Sequence, residues 1–248
     1  MKFKFITFFL SLLFLNNNAN AQETIPLSTN FNKIIVSPHI EAVFIKGTKA
    51  SIVIEAISVP VKKFKYELNK GTLQVYLEGA KTYTKNKKRV TKNYEKKVPL
   101  YNNRVVSLII TYVDVDLFSI RGEEKITFQT PLNQNKCILR LYGKSEVTIP
   151  TIEVDNLDIS IYGDSFLKME KGNVNKQKIK AYGASKVMAT EVLTRETKIT
   201  AYGNGIFQLH ASELIKVNSY GEATILYKGN GQLKKGIVIG ESTIRKLI

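Results

Sequence analysis

The sequence predicts an all-β protein, a single-domain parallel β-helix whose coils are about 20 residues long, preceded by short N-terminal strands. Two observations lead to this prediction. Short stretches of alternating apolar and polar residues recur at a nearly fixed period, and most recurrences end in a tyrosine followed by a glycine. One such stretch cannot enclose a core by itself, whereas stacked copies bury a continuous one, so the repeat indicates a solenoid.

The repeat is clearest between Cys137 and Ile248. Five strands there end in Tyr-Gly, at Tyr142, Tyr162, Tyr182, Tyr202 and Tyr220, and the glycines that follow lie 20, 20, 20 and 18 residues apart. Gly122 precedes this series by 21 residues, and Gly240 follows it after 19. We therefore expect these seven glycines to mark one corner of the stacked coils.

Three columns of residues are predicted to line the interior. Because successive side chains of a strand point to opposite faces, the residues three positions before each tyrosine point inward and the tyrosines point outward. This first column contains Leu139, Ile159, Ile179, Ile199 and Val217. The second, two residues after each glycine, contains the small residues Ser145, Ser165, Ser185, Gly205, Ala223 and Ser242, which suit a tight corner. A third apolar column is assigned to Val154, Val174, Leu193, Leu214 and Leu233.

Residues 1–21 have the features of a secretory signal peptide. Lys2 and Lys4 precede an apolar run of 11 residues, and Ala19-Asn20-Ala21 fits a small-residue cleavage site. The run is shorter than the ~18 residues that a membrane span needs. We therefore expect an exported mature chain of residues 22–248, in the periplasm, associated with the outer membrane or at the cell surface, with no transmembrane segment after cleavage.

The segment before the repeat is predicted to form short strands and one basic flexible loop. The strands are expected at 33–36, 40–46, 51–56, 64–68 and 72–77, with further strand signal at 105–115 and 117–122. Residues 79–104 carry nine cations and one acid, and such a segment buries too little apolar surface to order itself. Within it, contact with anionic surfaces is assigned to Lys85, Lys87, Lys88, Arg89, Lys92, Lys96 and Lys97, although a merely solvated loop is an equal alternative.

The residue types needed for catalysis or metal binding do not form a recognisable pattern. His39 and His210 lie in different regions and lack zinc-ligand spacing, and Cys137 is expected to be a small core residue. Asp114 and Asp116 are predicted to share a strand face, and a second group of acids comprises Asp155, Asp158 and Asp164. Neither group has the converging carboxylates of a glycosidase. We therefore predict no catalytic residue, no metal and no cofactor.

The tyrosines form the candidate ligand surface. Tyr142, Tyr162, Tyr182, Tyr202 and Tyr220 should stack one above another on the outer face, flanked by Arg140 and Lys180. Such a ladder could accept the apolar faces of sugar rings or a partner protein, or it could simply stabilise the solenoid. Glycan or cell-envelope surfaces are the expected partners, and nucleic acid is not, because the signal peptide predicts export.

These repeats resemble those of the bacterial head GIN domain family, whose members are described as auto-transporter adhesins. The resemblance rests on the Gly-x-small motifs at ~20-residue intervals, such as Gly203-Asn204-Gly205, and on the stretch from Asp116 to Gly122, and it extends over residues 31–244. The family has Ser-Gly-Ser-Gly where this chain has Tyr-Gly-x-Ser. The resemblance implies a right-handed β-helix of pectin-lyase-like shape, no catalytic residues to transfer and a role in adhesion.

The sequence therefore favours an exported, non-catalytic, adhesin-like binding protein that contacts glycan or envelope components. Two alternatives stay open. One is a carbohydrate-active lyase or hydrolase of pectin-lyase-like shape, and the other is a purely structural component of the envelope.

Overall fold

The computed structural model describes residues 23–28, 30–91 and 94–247, so the predicted signal peptide and Lys92 lie outside the described residues. The described chain is a single domain built almost entirely of β-strands. Its strands are β1 (Glu23–Pro26), β2 (Lys33–Val36), β3 (Ile40–Lys46), β4 (Ser51–Ile57), β5 (Phe64–Asn69), β6 (Thr72–Leu77), β7 (Asn86–Thr91), β8 (Tyr94–Pro99), β9 (Val106–Tyr112), β10 (Leu117–Gly122), β11 (Lys125–Phe128), β12 (Leu132–Gly143), β13 (Glu146–Gly163), β14 (Phe166–Tyr182), β15 (Lys186–Met188), β16 (Val192–Tyr202), β17 (Ile206–His210), β18 (Leu214–Tyr220), β19 (Thr224–Lys228), β20 (Gln232–Ile239) and β21 (Thr243–Lys246).

A parallel β-solenoid of about six turns forms the body of the protein, which confirms the predicted fold class. Strands β12, β13, β14, β16, β18 and β20 stack in parallel, and each Tyr-Gly pair lies in register with the next. The seven predicted corner glycines delimit these six turns. Gly163 shows why glycine is needed: its φ is +114°, and a Cβ there would lie 2.5 Å from the carbonyl oxygen of Gly143.

The interior confirms the first two predicted columns. Leu139, Ile159, Ile179, Ile199 and Val217 are all buried. In the second column, Ser145, Ser165 and Ser185 are fully buried, and the Ser165 hydroxyl donates a hydrogen bond to the carbonyl of Gly143. A small inward side chain is required here because the chain turns sharply against the coil below it.

The third predicted column is wrong at Leu193 and Leu214, whereas Leu233 packs against the core. Val154 and Val174 are buried, but Leu193 is 57% exposed, and Thr194 takes the interior place because it pairs in register with Val174. The Thr194 hydroxyl donates a hydrogen bond to the carbonyl of Val192, which offsets the cost of burying this polar group. In the next turn Ile215 is buried whereas Leu214 is half-buried. Apolarity alone selected the wrong residue, because Leu193 stands between the inward-facing residues Val192 and Thr194 and therefore points outward.

The N-terminal strands extend the solenoid and then cover it. Strands β2 and β3 pair in parallel with β10 and β11, and β6 and β9 stack in parallel on β2 and β3. Antiparallel strands follow, with β5 on β6, β4 on β9 and β1 on β4. The core at this end contains Phe44, which contacts the rings of Tyr112, Phe118 and Phe128.

The basic segment is not the structureless loop that the sequence predicted. Strands β7 and β8 form an antiparallel hairpin separate from the main sheet. Both faces of this two-stranded ribbon are exposed to solvent, so its side chains need not alternate between apolar and polar. The sequence therefore lacks the alternation that predicts a strand. We call residues 86–99 the basic hairpin. Whether it is flexible stays a prediction.

Helical structure in the described ranges amounts to one 3₁₀ turn at Val61–Lys63. It directly follows Pro60, where the sequence predicted a break in regular structure. None of the described helical structure is long or apolar enough to cross a membrane.

Candidate binding surface

A tyrosine ladder runs along one outer face of the solenoid. Neighbouring rings of Tyr142, Tyr162, Tyr182, Tyr202 and Tyr220 lie 5.1, 5.0, 4.7 and 4.8 Å apart between centroids, with planes 9° or less from parallel. The parallel register of β12, β13, β14, β16 and β18 places them there, since each tyrosine pairs directly with the tyrosine of the next coil. The predicted ladder is therefore present.

The way the rings stack changes what the ladder can contact. Each face of the central rings Tyr162, Tyr182 and Tyr202 is covered by a neighbouring ring, which rules out the stacking of sugar rings on them, one of the alternatives that the sequence left open. These three side chains are nevertheless 43%, 37% and 37% exposed, through their edges and hydroxyl groups. Among the described residues, no hydrogen bond uses the ladder hydroxyls. The surface therefore offers a row of donors and acceptors at the spacing of the coils.

Cations lie beside and at one end of the ladder. Arg140 and Lys180 are exposed and lie two residues before Tyr142 and Tyr182, on the same outer face. At the N-terminal end, the Arg121 guanidinium lies 5.7 Å from the centroid of the Tyr142 ring. This cation–π contact covers the last free ring face at that end.

The cations assigned to the basic segment are exposed on the hairpin and the residue preceding it. Lys85, Lys87, Lys88, Arg89, Lys96 and Lys97 are all exposed. Lys88 forms an ion pair with Glu95 at 3.1 Å, and both side chains are more than half exposed, so water weakens the pair. The hairpin is thus a second cationic surface, distinct from the ladder.

A cleft at the N-terminal end of the ladder was not anticipated from the sequence. It is lined by His39, Arg104, Arg121, Glu124 and Tyr142, among others. The His39 Nδ1–H donates to the carbonyl of Asn103 at 2.7 Å, and Nε2 lies 2.6 Å from the hydroxyl oxygen of Thr84. Parallel pairing of β3 with β9 and with β11 brings His39, Arg104 and Glu124 together from distant segments, so sequence spacing gives no signal for their proximity.

The candidate acids do not converge. Asp114 and Asp116 lie in the bend between β9 and β10, not on a strand face as predicted. Asp155 and Asp158 occupy different depressions, and Asp164 lies at the corner after Gly163, where its carboxylate accepts a hydrogen bond from the backbone N–H of Ala184. Within the described chain, no three His, Cys, Asp or Glu side chains are grouped closely enough to hold a metal ion.

Cys137 is buried inside the solenoid as the sequence predicted. Burial raises the pKa of its thiol, with a smaller contribution from the charge of Asp116. A nucleophilic thiol needs the opposite, a lowered pKa and access to solvent. Cys137 is therefore a packing residue.

Solved structures share this fold. A "putative adhesin" from Bacteroides fragilis is 18% identical, with a TM-score of 0.75, and the match covers 92% of this chain and 98% of that one. A "putative lipid binding protein" from Parabacteroides distasonis is 18% identical, with a TM-score of 0.65 and coverage of 92% and 97%. A "putative adhesin" from Parabacteroides merdae is 17% identical, with a TM-score of 0.63 and coverage of 92% and 96%. Identities this low establish the fold alone.

Comparison with curated proteins found no matching sequence. Residues 30–231 match the family described as "Putative auto-transporter adhesin, head GIN domain". This range contains the N-terminal strands from β2 onward, the basic hairpin, the cleft and the whole tyrosine ladder. The chain therefore belongs to the head GIN domain family.

Proposed function

We propose that this protein is an exported, non-catalytic, adhesin-like protein that binds glycans of the cell envelope or cell surface through its tyrosine ladder. One observation carries the proposal: five stacked tyrosines present a row of hydroxyls on one face, and none of these hydroxyls hydrogen-bonds to the described chain. A glycan chain presents hydroxyls at regular intervals too. Ladder hydroxyls can therefore exchange hydrogen bonds with successive sugars of a chain that lies along the solenoid axis.

Stacking also prepares the ladder for binding. Each ring is held between its neighbours, so binding a ligand costs little of the side-chain entropy that free tyrosines would lose. The outer ring edges are apolar, which suits contact with the C–H groups of sugars. Membership of a family described as adhesins, and signal-peptide features at residues 1–21, support a binding role outside the cytoplasm.

A carbohydrate-active enzyme is the less favoured alternative. Cleavage of a glycosidic bond by paired carboxylates requires two of them to face one bond. Asp155, Asp158 and Asp164 lie in one coil but at separate places around it. The described relatives with this fold also carry the names of adhesins or of a lipid-binding protein, and none carries the name of an enzyme.

The test is a glycan-array screen of residues 22–248, followed by titration of the strongest hits with a ladder variant. Tyr162→Phe, Tyr182→Phe and Tyr202→Phe together remove three hydroxyls but keep the ring stack. Each lost hydrogen bond costs about 0.5–1.5 kcal/mol, so we expect affinity to fall by at least about tenfold. The unfolding midpoint should stay close to that of the wild type.

Tyr66→Phe is the matched control, because Tyr66 is 42% exposed on β5, away from the ladder. It should leave glycan binding unchanged. Binding that the triple variant retains in full would rule out the ladder as the contact surface. Retained binding that disappears at high salt would instead favour contact through exposed cations, those of the basic hairpin included, because salt screens exposed charges.

A further inference from the structure

A column of lysines runs parallel to the tyrosine ladder. Lys178 pairs in register with Lys198, Lys198 with Lys216, and Lys216 with Lys234. All four are exposed. Stacked strands are about 4.8 Å apart, so four positive charges follow one another at that spacing along the solenoid. We call these four residues the lysine column.

The lysine column and the tyrosine ladder share one face. In β14, Lys176, Lys178, Lys180 and Tyr182 are exposed, whereas the alternate residues Gln177, Ile179 and Ala181 are buried. The same strand therefore presents three lysines and one ladder tyrosine to solvent. Lys178 and Tyr182 are four residues apart, so the column and the ladder run side by side at about 13 Å.

The charges on this face are not neutralised by the protein. Among the ion pairs of the described residues, none involves Lys176, Lys180 or any member of the lysine column. Two acids lie nearby: Asp158 pairs in register with Lys178, and Glu196 is engaged by Arg195 at 3.1 Å. Like charges on directly adjacent strands destabilise a sheet. An anion that bridges neighbouring lysines removes this repulsion.

We infer that the shared face binds a linear acidic polysaccharide, with its carboxylate or sulfate groups on the lysine column and its hydroxyls on the tyrosine ladder. This inference rests on the proposed function and adds the ligand class to it. The row of cations lies beside the row of tyrosine hydroxyls. A linear polymer that carries anionic groups and hydroxyls along its length can contact both rows at once. A depression between adjacent coils is lined by three lysines and two acids, and its lysines can hold the anionic groups of such a chain; the charged residues are Lys176, Lys178, Lys198, Asp158 and Glu196.

An anionic membrane fits this face less well. Peripheral membrane binding draws on apolar side chains that insert among the lipids as well as on charge. The ladder rings are held against one another and present only their edges and hydroxyls, so they cannot insert. The lysine column and the tyrosine ladder run side by side, and this arrangement suits a linear polymer better than a membrane surface.

The experiment measures binding of residues 22–248 to three acidic probes: oligogalacturonate and heparin- and chondroitin-sulfate-derived oligosaccharides. Methyl-esterified oligogalacturonate is the matched ligand, since it keeps the chain and removes the charge. The test variant is Lys178→Gln, Lys198→Gln and Lys216→Gln together. The control is Lys87→Gln, Lys88→Gln and Lys97→Gln, which removes the same charge from the basic hairpin.

We expect at least one acidic probe to bind, with affinity rising with chain length until the chain spans the four lysines. Loss of three exposed ion pairs should weaken this binding by about 3- to 150-fold. The hairpin control should keep most of the affinity, and the methyl ester should bind more weakly than the free acid.

Four outcomes overturn the inference. Equal losses in the lysine-column and hairpin variants would show that only net charge matters. Binding to vesicles of anionic phospholipid, with none to the three acidic probes, would make the face a membrane surface. Binding to neutral glycans alone would contradict the acidic ligand class but leave the proposed glycan-binding function intact. Absence of binding to any glycan would contradict both proposals.

Discussion

The rings of Tyr182 and Tyr202 lie 4.7 Å apart between centroids, with planes 1° from parallel. Free aromatic pairs prefer an offset or edge-to-face arrangement. Here the separation is close to the spacing of stacked strands, so the backbone sets the distance and the rings fill it. The ladder therefore couples adjacent coils through their side chains as well as through their hydrogen bonds.

This coupling is measurable in a double-mutant cycle. We expect Tyr182→Ala and Tyr202→Ala to be non-additive by about 0.5–1.5 kcal/mol in the free energy of unfolding, because either substitution alone already removes the ring contact. Denaturant titration of the four proteins measures it. Tyr142 and Tyr202 are separated by two rungs, so a cycle on them should be additive. Additivity in both cycles would mean that the stacking adds nothing to stability.

The small interior column should not accept larger side chains. Ser165→Leu and Ser185→Leu should each lower the free energy of unfolding by about 1–3 kcal/mol, because both serines are fully buried at a tight corner. Ser160→Leu is the control, since Ser160 is half-buried on the outer face. Thermal unfolding compares the three variants. A melting temperature unchanged by the two buried substitutions would contradict the packing described above.

The corner glycines should resist even alanine. Gly163→Ala introduces a Cβ 2.5 Å from the carbonyl of Gly143 at a φ of +114°. Both effects add strain, so we expect a loss of about 1–3 kcal/mol or more in the free energy of unfolding. Lys144→Ala, at an exposed residue of a neighbouring corner, should cost little. Equal stability of the two variants would show that the corner relaxes without cost.

Limited trypsin digestion should begin within residues 80–103. The described lysines and arginines of this segment are exposed, and an isolated two-stranded hairpin is marginally stable in water. Mass spectrometry of the first fragments locates the cut. A first cleavage within the coils would mean that the basic hairpin is more stable than the solenoid.

Cys137 should react with thiol reagents only when the protein unfolds. It is fully buried, and burial raises its pKa, so neither access nor thiolate is available in the native state. Labelling with a chromogenic disulfide should be slow in buffer and rapid in denaturant. Fast labelling of the native protein would indicate that the coils around Cys137 open readily.

The repeat made much of this fold predictable. A fixed spacing of Tyr-Gly pairs determines register, and register places Tyr162 over Tyr142 and Ile179 over Ile159. Leu193 and Thr194 depart from the apolar pattern, because the position that enters the core depends on the local path of the chain and not on which residue is apolar.

The site was predictable only in part. The tyrosine ladder follows from the repeat, but its covered ring faces do not, since side-chain rotamers have no sequence signal. The cleft beside His39 depends on long-range pairing of β3 with both β9 and β11. The lysine column does have a signal, because Lys178, Lys198, Lys216 and Lys234 recur 20, 18 and 18 residues apart. This spacing is hard to recognise in the sequence because the chain is strongly basic and contains many other lysines.

The coil between Gly203 and Gly221 is two residues shorter than the 20-residue coils before it, yet the Tyr202 and Tyr220 rings still lie 4.8 Å apart. Register shows where the residues are missing. Gln208 pairs with Met188 and Leu214 with Glu196, so the shortening falls at the turn between Gln208 and Leu214, away from the ladder. Chain length there varies without disturbing the opposite face. A change of two residues in coil length is thus absorbed at this turn and does not reach the register of the tyrosine ladder, so coils of unequal length can share one continuous outer face.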